Sequence, residues 1–585
     1  MLFCWSCAQQ GSPTGGPRDE DPPRVLECSP ANYSTQFDSK KIQITFDEYI
    51  VLDNVNQQLV VSPPMEEKPE VKLKRKSLII EFEEALRINT TYTFNFGDAI
   101  KDLHEGNKLQ NYEYVFSTGE ILDSMSVRGS LTYAENLETP DEPFSIMLYS
   151  DLRDSVPLLD IPLYVGRSND SGVFSVNNLR PDVYKVFALK DGNNNFLFDL
   201  PSEEIAFLDS SLIVNADFAR QLLGDSLVFP ATPDTISTDT TAMMSDSIAS
   251  GLPEYNAIYI DLMLFTEASE IQYMTDNSRE DRRRLELVFA LPLTDTFSYR
   301  SLQLPHEEEP RFLEHFSTNR DSLTLWVRDS AHYKKDSISL ELKYTVMDTT
   351  EQYVVKTDTV LFSYREKETK SRRGQTAQLT EEKLNLVTIR NNGNQDLNRD
   401  LSLTSDFPVS SLNDSLFTLY HIPDSLEVAV PFVLRADTLS PYRTVLSASW
   451  EPDARYRMLM LPGAITGIYP MQHDTIDVSF QTRDLEFYGQ ILLSLTNVNN
   501  QVLIQLFSST TLIEERIVEA DGQYTFPFLA PKEYQIKFIH DLNKNGRWDT
   551  GNYLEKLQPE PVELLPVSIE VRSNWDHDVS MVLEK

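Results

Sequence analysis

Cysteine, glycine and basic residues are scarce in this chain of 585 residues. The three cysteines, Cys4, Cys7 and Cys28, all lie close to the N-terminus, which excludes a fold stapled by disulfides. Glycine occurs 20 times and proline 32 times, a balance that favours extended segments joined by turns. No run of about 18 apolar residues is present, so the sequence predicts no membrane-spanning helix.

Acidic residues outnumber basic ones by 90 to 52, which gives a formal net charge of −38. Such a surface repels phosphate and excludes sequence-independent binding of nucleic acid. The hydrophobic fraction of 41% and the aromatic fraction of 10% are enough to build packed cores. At roughly 100–200 residues per domain, the length predicts three to five domains.

The N-terminus has the features of a lipid anchor. Ser6 precedes Cys7, and lipoprotein processing requires a small residue there, although Cys4 stands where leucine is usual. Residues 9–23 are polar and rich in glycine and proline, as a flexible tether should be. We predict that Cys7 is diacylated and that residues 1–23 are an export-signal remnant followed by a tether. The alternative is an ordinary terminus with a free thiol.

Most of the remaining chain alternates apolar and polar residues in short runs bounded by turn residues. Ile42–Phe46, Thr91–Phe96 and Leu323–Val327 are examples. This period of two predicts strands, and no long 3.6-residue period competes with it. We therefore predict an all-β fold, an elongated chain of β-sandwiches.

Changes in composition divide the chain after the tether into five modules and two linkers. They are module 1 (residues 24–120), module 2 (127–220), a Ser/Thr/Asp-rich linker or loop (221–254), module 3 (255–366), a basic linker (367–383), module 4 (384–486) and module 5 (487–585).

Modules 2 and 5 share an internal repeat. Ser171–Asp199 aligns with Asp521–Asp549 at a constant offset of 350, and eight of 29 positions are identical. Gly129 and Gly489 stand at similar places before the two copies. We therefore expect one type of β-module to occur twice.

The loop that closes each repeat carries oxygen ligands at the spacing of a calcium loop. In module 5 these are Asp541, Asn543, Asn545 and Asp549, and Gly546 stands at the sixth position, where such a loop turns sharply. The twelfth position is Asn552 in place of a bidentate glutamate, and Glu555 is a substitute. The alternative is an Asx-turn loop whose side chains cap backbone amides.

The same ligand pattern recurs in module 2. Asp191, Asn193, Asn195 and Asp199 are kept there, whereas Phe196 replaces the glycine. A calcium ion at either loop is predicted to be structural, with no part in catalysis, and no other cofactor is expected.

Three stretches resemble known families. Modules 2 and 5 share a G-x-[YF]…L…P…Y pattern, from Gly172 to Tyr184 and from Gly522 to Tyr534, that resembles transthyretin-like modules. Residues 22–119 resemble the S-layer-type bacterial Ig-like domain through Ile44–Ile50, Leu86–Phe96 and Phe116–Gly119. With the Cys7 tether, the chain looks like an Ig-like-domain lipoprotein of the Bacteroidota type. That resemblance implies two Ig-like sandwiches in the middle of the chain and an envelope location.

The resemblance implies a scaffolding or adhesive role and supplies no reaction. We expect a non-enzymatic lipoprotein of the outer membrane that interacts with envelope proteins, as a subunit of an outer-membrane assembly. It is anchored to the membrane by lipid, and its periplasmic or surface orientation is left open. The alternatives are an adhesin for glycans or host ligands and a hydrolase with a site between modules. Trp326 and Trp450 alternate with polar residues in strands, which favours core packing over sugar stacking.

The lipid anchor makes a direct prediction. Because each buried methylene contributes about 0.8 kcal/mol to membrane binding, Cys7→Ser should release the protein from membranes and abolish palmitate incorporation. Fractionation and radiolabelling measure both effects. Unchanged fractionation of the variant contradicts the prediction.

Overall fold

The computed structural model describes residues 19–200, 202–223, 256–269, 271–302, 312–347, 352–365, 383–389 and 393–584. Strands account for 50% of the chain and helices for 5%, which confirms the all-β prediction. Within these ranges no helix is both long and apolar enough to cross a membrane. Cys7 and most of the two predicted linkers lie outside the described residues.

The helices are short. They are α1 (Val55–Gln58), α2 (Val156–Leu159), α3 (Ala216–Leu223) and α4 (Ser330–Tyr333), with 3-10 turns at Asp414–Leu416, Pro423–Ser425 and Leu485–Phe487. The chain forms two compact units. Unit 1 contains the residues up to Ala268 together with Ile539–Glu563, and unit 2 contains Ser269–Phe538 together with the residues from Leu564 onward.

Module 1, in unit 1, is a sandwich of antiparallel sheets. Its strands are β1 (Val25–Ser29), β2 (Lys41–Phe46), β3 (Ile50–Leu52), β4 (Val60–Ser62), β5 (Glu70–Lys74), β6 (Ser77–Glu81), β7 (Thr91–Asn95), β8 (Ile100–Asp102) and β9 (Glu113–Ser117). The sheets have the orders β1-β2-β6-β5, β4-β7-β9 and β3-β8. Phe46, Phe94 and Phe116 are fully buried between them, so the alternation seen in the sequence supplies the core.

Module 2, also in unit 1, forms one continuous path of hydrogen-bonded strands. The strands are β10 (Met125–Tyr133), β11 (Ser145–Tyr149), β12 (Tyr164–Arg167), β13 (Val173–Leu179), β14 (Asp182–Leu189), β15 (Glu204–Phe207), β16 (Leu212–Val214) and β17 (Ala257–Thr266). Their order is β12-β11-β14-β15-β17-β10-β13, with β16 beside β14.

The boundary that we predicted between modules 2 and 3 is wrong. Strand β17, assigned to module 3 by its sequence position, pairs in parallel with β10 from Ser126 opposite Ala257 to Tyr133 opposite Leu264. Module 2 therefore extends to Thr266, and residues 224–255 are an insertion within it. Local alternation shows that a strand exists but not which distant strand it pairs with, since a parallel pair needs a long connection.

Module 3, in unit 2, has two sheets. Its strands are β18 (Met274–Asp281), β19 (Arg284–Phe289), β20 (Ser298–Ser301), β21 (Phe312–Phe316), β22 (Ser322–Val327), β23 (Ser337–Met347) and β24 (Tyr353–Ser363). The sheet orders are β18-β19-β22-β21 and β20-β23-β24.

Module 4 follows in the same unit and has the largest number of strands. They are β25 (Leu386–Ile389), β26 (Asn394–Gln395), β27 (Leu401–Ser405), β28 (Val409–Leu412), β29 (Phe417–His421), β30 (Val428–Ala429), β31 (Phe432–Ala436), β32 (Arg443–Ala448), β33 (Arg455–Met460), β34 (Ile465–Gly467) and β35 (Ile476–Thr482). The main sheets are β25-β27-β32-β31 and β26-β35-β33-β29-β30, and β28 pairs with β34.

Module 5 repeats the pairing logic of module 2. Its strands are β36 (Gly489–Thr496), β37 (Gln501–Ser508), β38 (Thr511–Val518), β39 (Gly522–Leu529), β40 (Glu533–Asp541), β41 (Val562–Leu564), β42 (Ile569–Glu570) and β43 (Asp576–Val582). The last strand, β43, pairs in parallel with the first, β36, as β17 does with β10. Two sheets result, whereas in module 2 the pairing of β15 with β17 joins them.

The two glycines that we matched before the repeats are not counterparts. Gly489 lies opposite Leu529, the repeat partner of Leu179, and Leu179 lies opposite Met125. Gly129 lies opposite Phe174. The lengths of chain before the repeats differ, so spacing from the preceding module misaligned the first strands by four residues.

Gly129 has its own packing requirement. A Cβ atom there lies 1.8 Å from the carbonyl oxygen of Ile260 on β17 and 2.8 Å from the Phe174 ring. Because both neighbours are fixed in the sheet, Gly129→Ala should lower the free energy of unfolding by about 1–3 kcal/mol. Chemical denaturation of the full chain measures this. Gly192→Ala is the control, since a Cβ there makes only ordinary contacts at 3.7 Å or more. Equal stability of the two variants contradicts the prediction.

Candidate functional site

The structure brings together the four predicted ligands in each repeat loop. In module 5, Asn543 and Asn545 both donate their side-chain amides to the Asp549 carboxylate. Asp541 accepts the backbone N–H of Asn545 at 3.1 Å and that of Gly546 at 2.8 Å. Asp541 is fully buried, so its charge is placed inside the loop.

The loop in module 2 makes the same set of bonds. Asn193 and Asn195 donate to the two carboxylate oxygens of Asp199 at 3.2 and 2.8 Å. Asp191 accepts the backbone N–H groups of Asn195 and Phe196 at 3.2 and 2.8 Å. The two loops therefore close in the same way despite the change of residue at the sixth position.

The backbone path of the two loops is also the same. Asn194 and Phe196 have φ of 58° and 59°, and their repeat partners Lys544 and Gly546 have φ of 63° and 79°. A left-handed conformation suits glycine but costs roughly 1–2 kcal/mol for a residue with a Cβ. Phe196 adopts it nevertheless and packs against the core of module 2. The loop geometry is thus independent of the glycine.

A buried glutamate closes each loop, and the sequence reasoning missed it. Glu203 accepts the backbone N–H groups of Gly192, Asp199 and Leu200. Glu560 accepts those of Leu542 at 2.7 Å and Asp549 at 3.1 Å. These glutamates are only 3% and 5% exposed. Each ties the start of its loop to the end.

Glu555, which we named as the substitute ligand, is an exposed residue outside this network of loop bonds. Glu560 follows Asp549 by 11 positions, but Glu203 follows Asp199 by only four. The insertion of seven residues in module 5 breaks the constant offset of the repeat. An alignment of the two copies with a gap of seven residues matches Glu203 with Glu560.

The inserted residues carry an anchor within unit 1. The Tyr553 ring stands edge-on to Phe187 and Phe207, with centroid distances of 5.2 and 5.1 Å. Its hydroxyl donates to the Asp154 carbonyl at 2.7 Å, and its backbone N–H donates to Glu267 at 2.5 Å. Burial raises the pKa of the Tyr553 hydroxyl to about 12, so the phenol is the neutral donor at neutral pH.

Polar contacts flank this anchor. Gln558 donates to the Phe207 carbonyl and to Asp209, and Thr550 donates to the Thr266 carbonyl. Lys556 pairs with Asp154 at 2.7 Å. Hydrogen bonds from Lys185 and Lys556 lower the pKa of Asp154 to about 2. Residues 550–558 are therefore held by apolar and ionic contacts together.

The electrostatics of the module 5 loop favour a cation. Burial raises the pKa of Glu560, and the charges of Asp541 and Asp549 raise it further against the lowering effect of its two backbone hydrogen bonds. Arg547 approaches Asp549 at 3.3 Å from an exposed position. Carboxylate and amide oxygens are the hard ligands that calcium takes. The residue types therefore suit calcium, which would supply only the charge that stiffens the loop, but the Asn543 and Asn545 side-chain oxygens point at backbone N–H groups.

The hydrogen bonds also satisfy the loop without a metal. Asn543 and Asn545 accept backbone N–H groups with their side-chain oxygens, as the Asx-turn alternative expects. Within the described residues, no group of three or more His, Cys, Asp or Glu side chains is arranged to hold a metal. Calcium binding at either loop stays a prediction.

The tryptophans singled out in the sequence have packing contacts. Trp326 is 2% exposed, and its Nε1 donates to the Tyr442 hydroxyl at 2.8 Å. Trp450 is half-buried and donates to the Arg399 carbonyl. Both contacts agree with core packing.

Comparison with known proteins classifies module 1. Residues 19–118 match the family model of the bacterial Ig-like domain, which confirms the Ig-like resemblance of this module. Domains of this kind are typical of surface, structural and adhesive proteins. The match covers less than half of the chain and so says nothing about the other modules. No curated protein matches the chain.

Solved structures give only distant likenesses. Native alpha-2-macroglobulin from Escherichia coli, over domains MG0-NIE-MG1, aligns with a TM-score of 0.19 and 11% identity, covering 51% of this chain and 97% of that chain. The S-layer protein rSbsC has a TM-score of 0.13 and 9% identity, with coverages of 91% and 67%. BcpA, the major pilin subunit of Bacillus cereus, has a TM-score of 0.13 and 9% identity, with coverages of 79% and 99%. TM-scores this low carry no argument.

Calcium at the module 5 loop can be tested by linkage. An ion that binds only the folded state at 100 times its dissociation constant adds about 2.7 kcal/mol of stability. The thermal midpoint should therefore rise with calcium and fall with chelator. Glu560→Gln should reduce this calcium-dependent shift, because it removes one buried charge from the loop.

Glu555→Gln is the matched control, since it removes an equal charge from an exposed residue between Asp549 and Glu560. Its calcium-dependent shift should equal that of the parent. Identical melting curves with calcium and chelator in all three proteins favour the Asx-turn alternative.

Proposed function

We propose that this chain is a non-enzymatic cell-envelope lipoprotein that acts as a scaffold or protein-interaction subunit within an outer-membrane assembly. The support comes from three features: the sequence around Cys7, which predicts an acylated cysteine on a tether, an Ig-like module 1, and modules joined by buried contacts. The contacts between neighbouring modules, here called joints, are the main support for the proposal, because a scaffold must hold its binding surfaces in a fixed orientation.

The joint between modules 1 and 2 is polar and buried. Glu113 of β9 accepts the side-chain amides of Asn95 at 3.0 Å and Asn177 at 3.1 Å. Asn178 of β13 donates to Thr93 of β7 at 2.9 Å. Burial raises the pKa of Glu113, and the two amides partly offset that rise. Directional bonds of this kind fix one orientation of the two sandwiches.

The joint between modules 3 and 4 is aromatic. The Arg283 guanidinium lies over the rings of Tyr333, Phe407 and Tyr469 at 4.9 to 5.3 Å. Trp326 of module 3 packs within the core of module 4. Cation–π contacts and a shared core resist bending at this point. Both joints support a role in holding partners rather than in turnover.

Side chains that often serve catalysis have structural contacts here. Asp102 accepts the backbone N–H groups of His104, Glu105, Gly106 and Asn107, and these bonds outweigh burial to lower its pKa to about 2. His332 bonds to Asp329, which also caps α4. These contacts favour the non-enzymatic proposal over the hydrolase alternative.

Affinity purification from detergent-solubilised membranes tests the proposal. The tagged chain should elute with other envelope proteins in a complex larger than the chain itself. The paired variant Asn177→Ala/Asn178→Ala should stay in the membrane fraction but retain fewer partners, because it loosens the joint between modules 1 and 2.

Asn136→Ala is the control, since Asn136 is a half-buried turn residue of module 2 outside the joint. It should elute with the full set of partners. A chain that elutes alone from membranes contradicts the proposed function, as does one found in the cytosol with turnover of a metabolite.

A further inference from the structure

Strand β24 lies at the edge of a sheet in module 3. It pairs with β23 over eleven residues in one unbroken register, from Tyr353 opposite Met347 to Ser363 opposite Ser337. The sheet order β20-β23-β24 gives β24 no second partner strand among the described residues. An edge strand presents unpaired N–H and C=O groups to any strand that can align with it.

Two of the usual protections against edge pairing are missing from β24, whereas a third, a charged side chain, is present at Lys356. The strand contains no proline, and the ladder with β23 has no bulge. At the far end of the strand, the Arg282 guanidinium lies 4.8 Å from the Tyr364 ring. The side chains of Tyr353–Thr357 and Thr359 are exposed, so among the described residues this stretch is open to a partner strand.

Apolar side chains line the outward face of this strand. Tyr353, Val355 and Leu361 are 71%, 58% and 60% exposed, and all three occupy alternate positions on one face. On the other face, Lys356 and Asp358 form an ion pair at 3.0 Å. Thr357 lies at the centre, with the charges on either side of it.

We propose that β24 binds β24 of a second copy of this chain in antiparallel fashion, with a two-fold axis at Thr357. In that register Lys356 of each copy lies opposite Asp358 of the other. Tyr353 likewise lies opposite Leu361, and Val354 lies opposite Val360. Two ion pairs and the apolar pairs form at once, and such cross-strand pairs are each stabilising.

The sequence of β24 selects this register against its neighbours. A shift of two residues in one direction places Lys356 opposite Lys356, and the same shift in the other direction places Asp358 opposite Asp358. A shift of one residue puts the exposed apolar residues opposite the half-buried face. Only the register centred on Thr357 matches charge with opposite charge, which favours a second copy over an unrelated extended peptide.

Cysteine pairing at the axis tests the register. The experiment uses the full chain with Cys4 and Cys7 replaced by serine, so that Cys28 is the one remaining thiol and the parent gives the baseline. Thr357→Cys should give a covalent dimer on mild oxidation, because residue 357 faces itself across the axis. Thr359→Cys alone should not, although it is exposed on the same face.

A mixture of Val355→Cys and Thr359→Cys chains with different tags should yield the mixed dimer, because these positions lie opposite each other in the proposed register. Cross-links that form equally at all three positions overturn the proposal, as does failure of Thr357→Cys to link at a concentration where the parent sediments as a dimer. A link from Thr357→Cys to a different protein assigns the edge to another partner and also overturns it.

Charge exchange provides a second test, read by sedimentation equilibrium. Lys356→Asp and Asp358→Lys should each raise the dimer dissociation constant by about tenfold, since like charges then lie opposite twice per dimer. The double exchange Lys356→Asp/Asp358→Lys should restore the parent value. Tyr344 contacts both residues, so unfolding curves must show that each variant is folded. A parent that remains monomeric at every concentration, or a double exchange that restores nothing, contradicts the proposal.

Discussion

The fold of each repeat module depends on a parallel pairing between its first and last strands. In module 2, β17 returns to β10, and in module 5, β43 returns to β36. The pairing satisfies the backbone groups of the first strand, which otherwise has a partner on one side only. It also buries Leu262 and Leu264 against the core of module 2.

Much of this architecture can be predicted from the local pattern of the sequence. Alternation at Ile42–Phe46 corresponds to β2, because a strand with one buried face must alternate. Thr91–Phe96 likewise corresponds to β7, although there the polar positions Thr91 and Thr93 are buried as well. The repeat Ser171–Asp199 predicts one module type twice, and the two loops do make the same hydrogen bonds, since identical spacing on the same strand-loop path gives the same geometry. Contacts between residues distant in sequence were not readable. The partner of β17 depends on how separate strands meet. The buried glutamates Glu203 and Glu560 were missed for another reason, because the insertion of seven residues breaks the constant offset between the two copies.

The loops show how a conserved geometry survives changes in its residues. Phe196 replaces Gly546 and keeps the left-handed backbone, and Glu560 replaces Glu203 in spite of a longer connection. What remains constant is the set of buried carboxylates that accept backbone N–H groups. An unsatisfied buried donor costs about 1–3 kcal/mol, which is comparable to the cost of a left-handed φ angle, so the hydrogen-bond pattern can be kept although the residue at the sixth position differs. The anchor at Tyr553 shows that an insertion in such a loop can acquire its own contacts.

The position of residues 224–255 within module 2 has a consequence for how the protein can change. The strands that precede this segment and the strand that follows it are held in one sheet by ladders on both sides of β17. For a flexible connection between two fixed ends, the closure entropy grows only with the logarithm of the length, so doubling the length costs about 0.6 kcal/mol. Evolution can therefore lengthen, shorten or replace this stretch, even with a foreign sequence, while the surrounding sheet keeps its strand order.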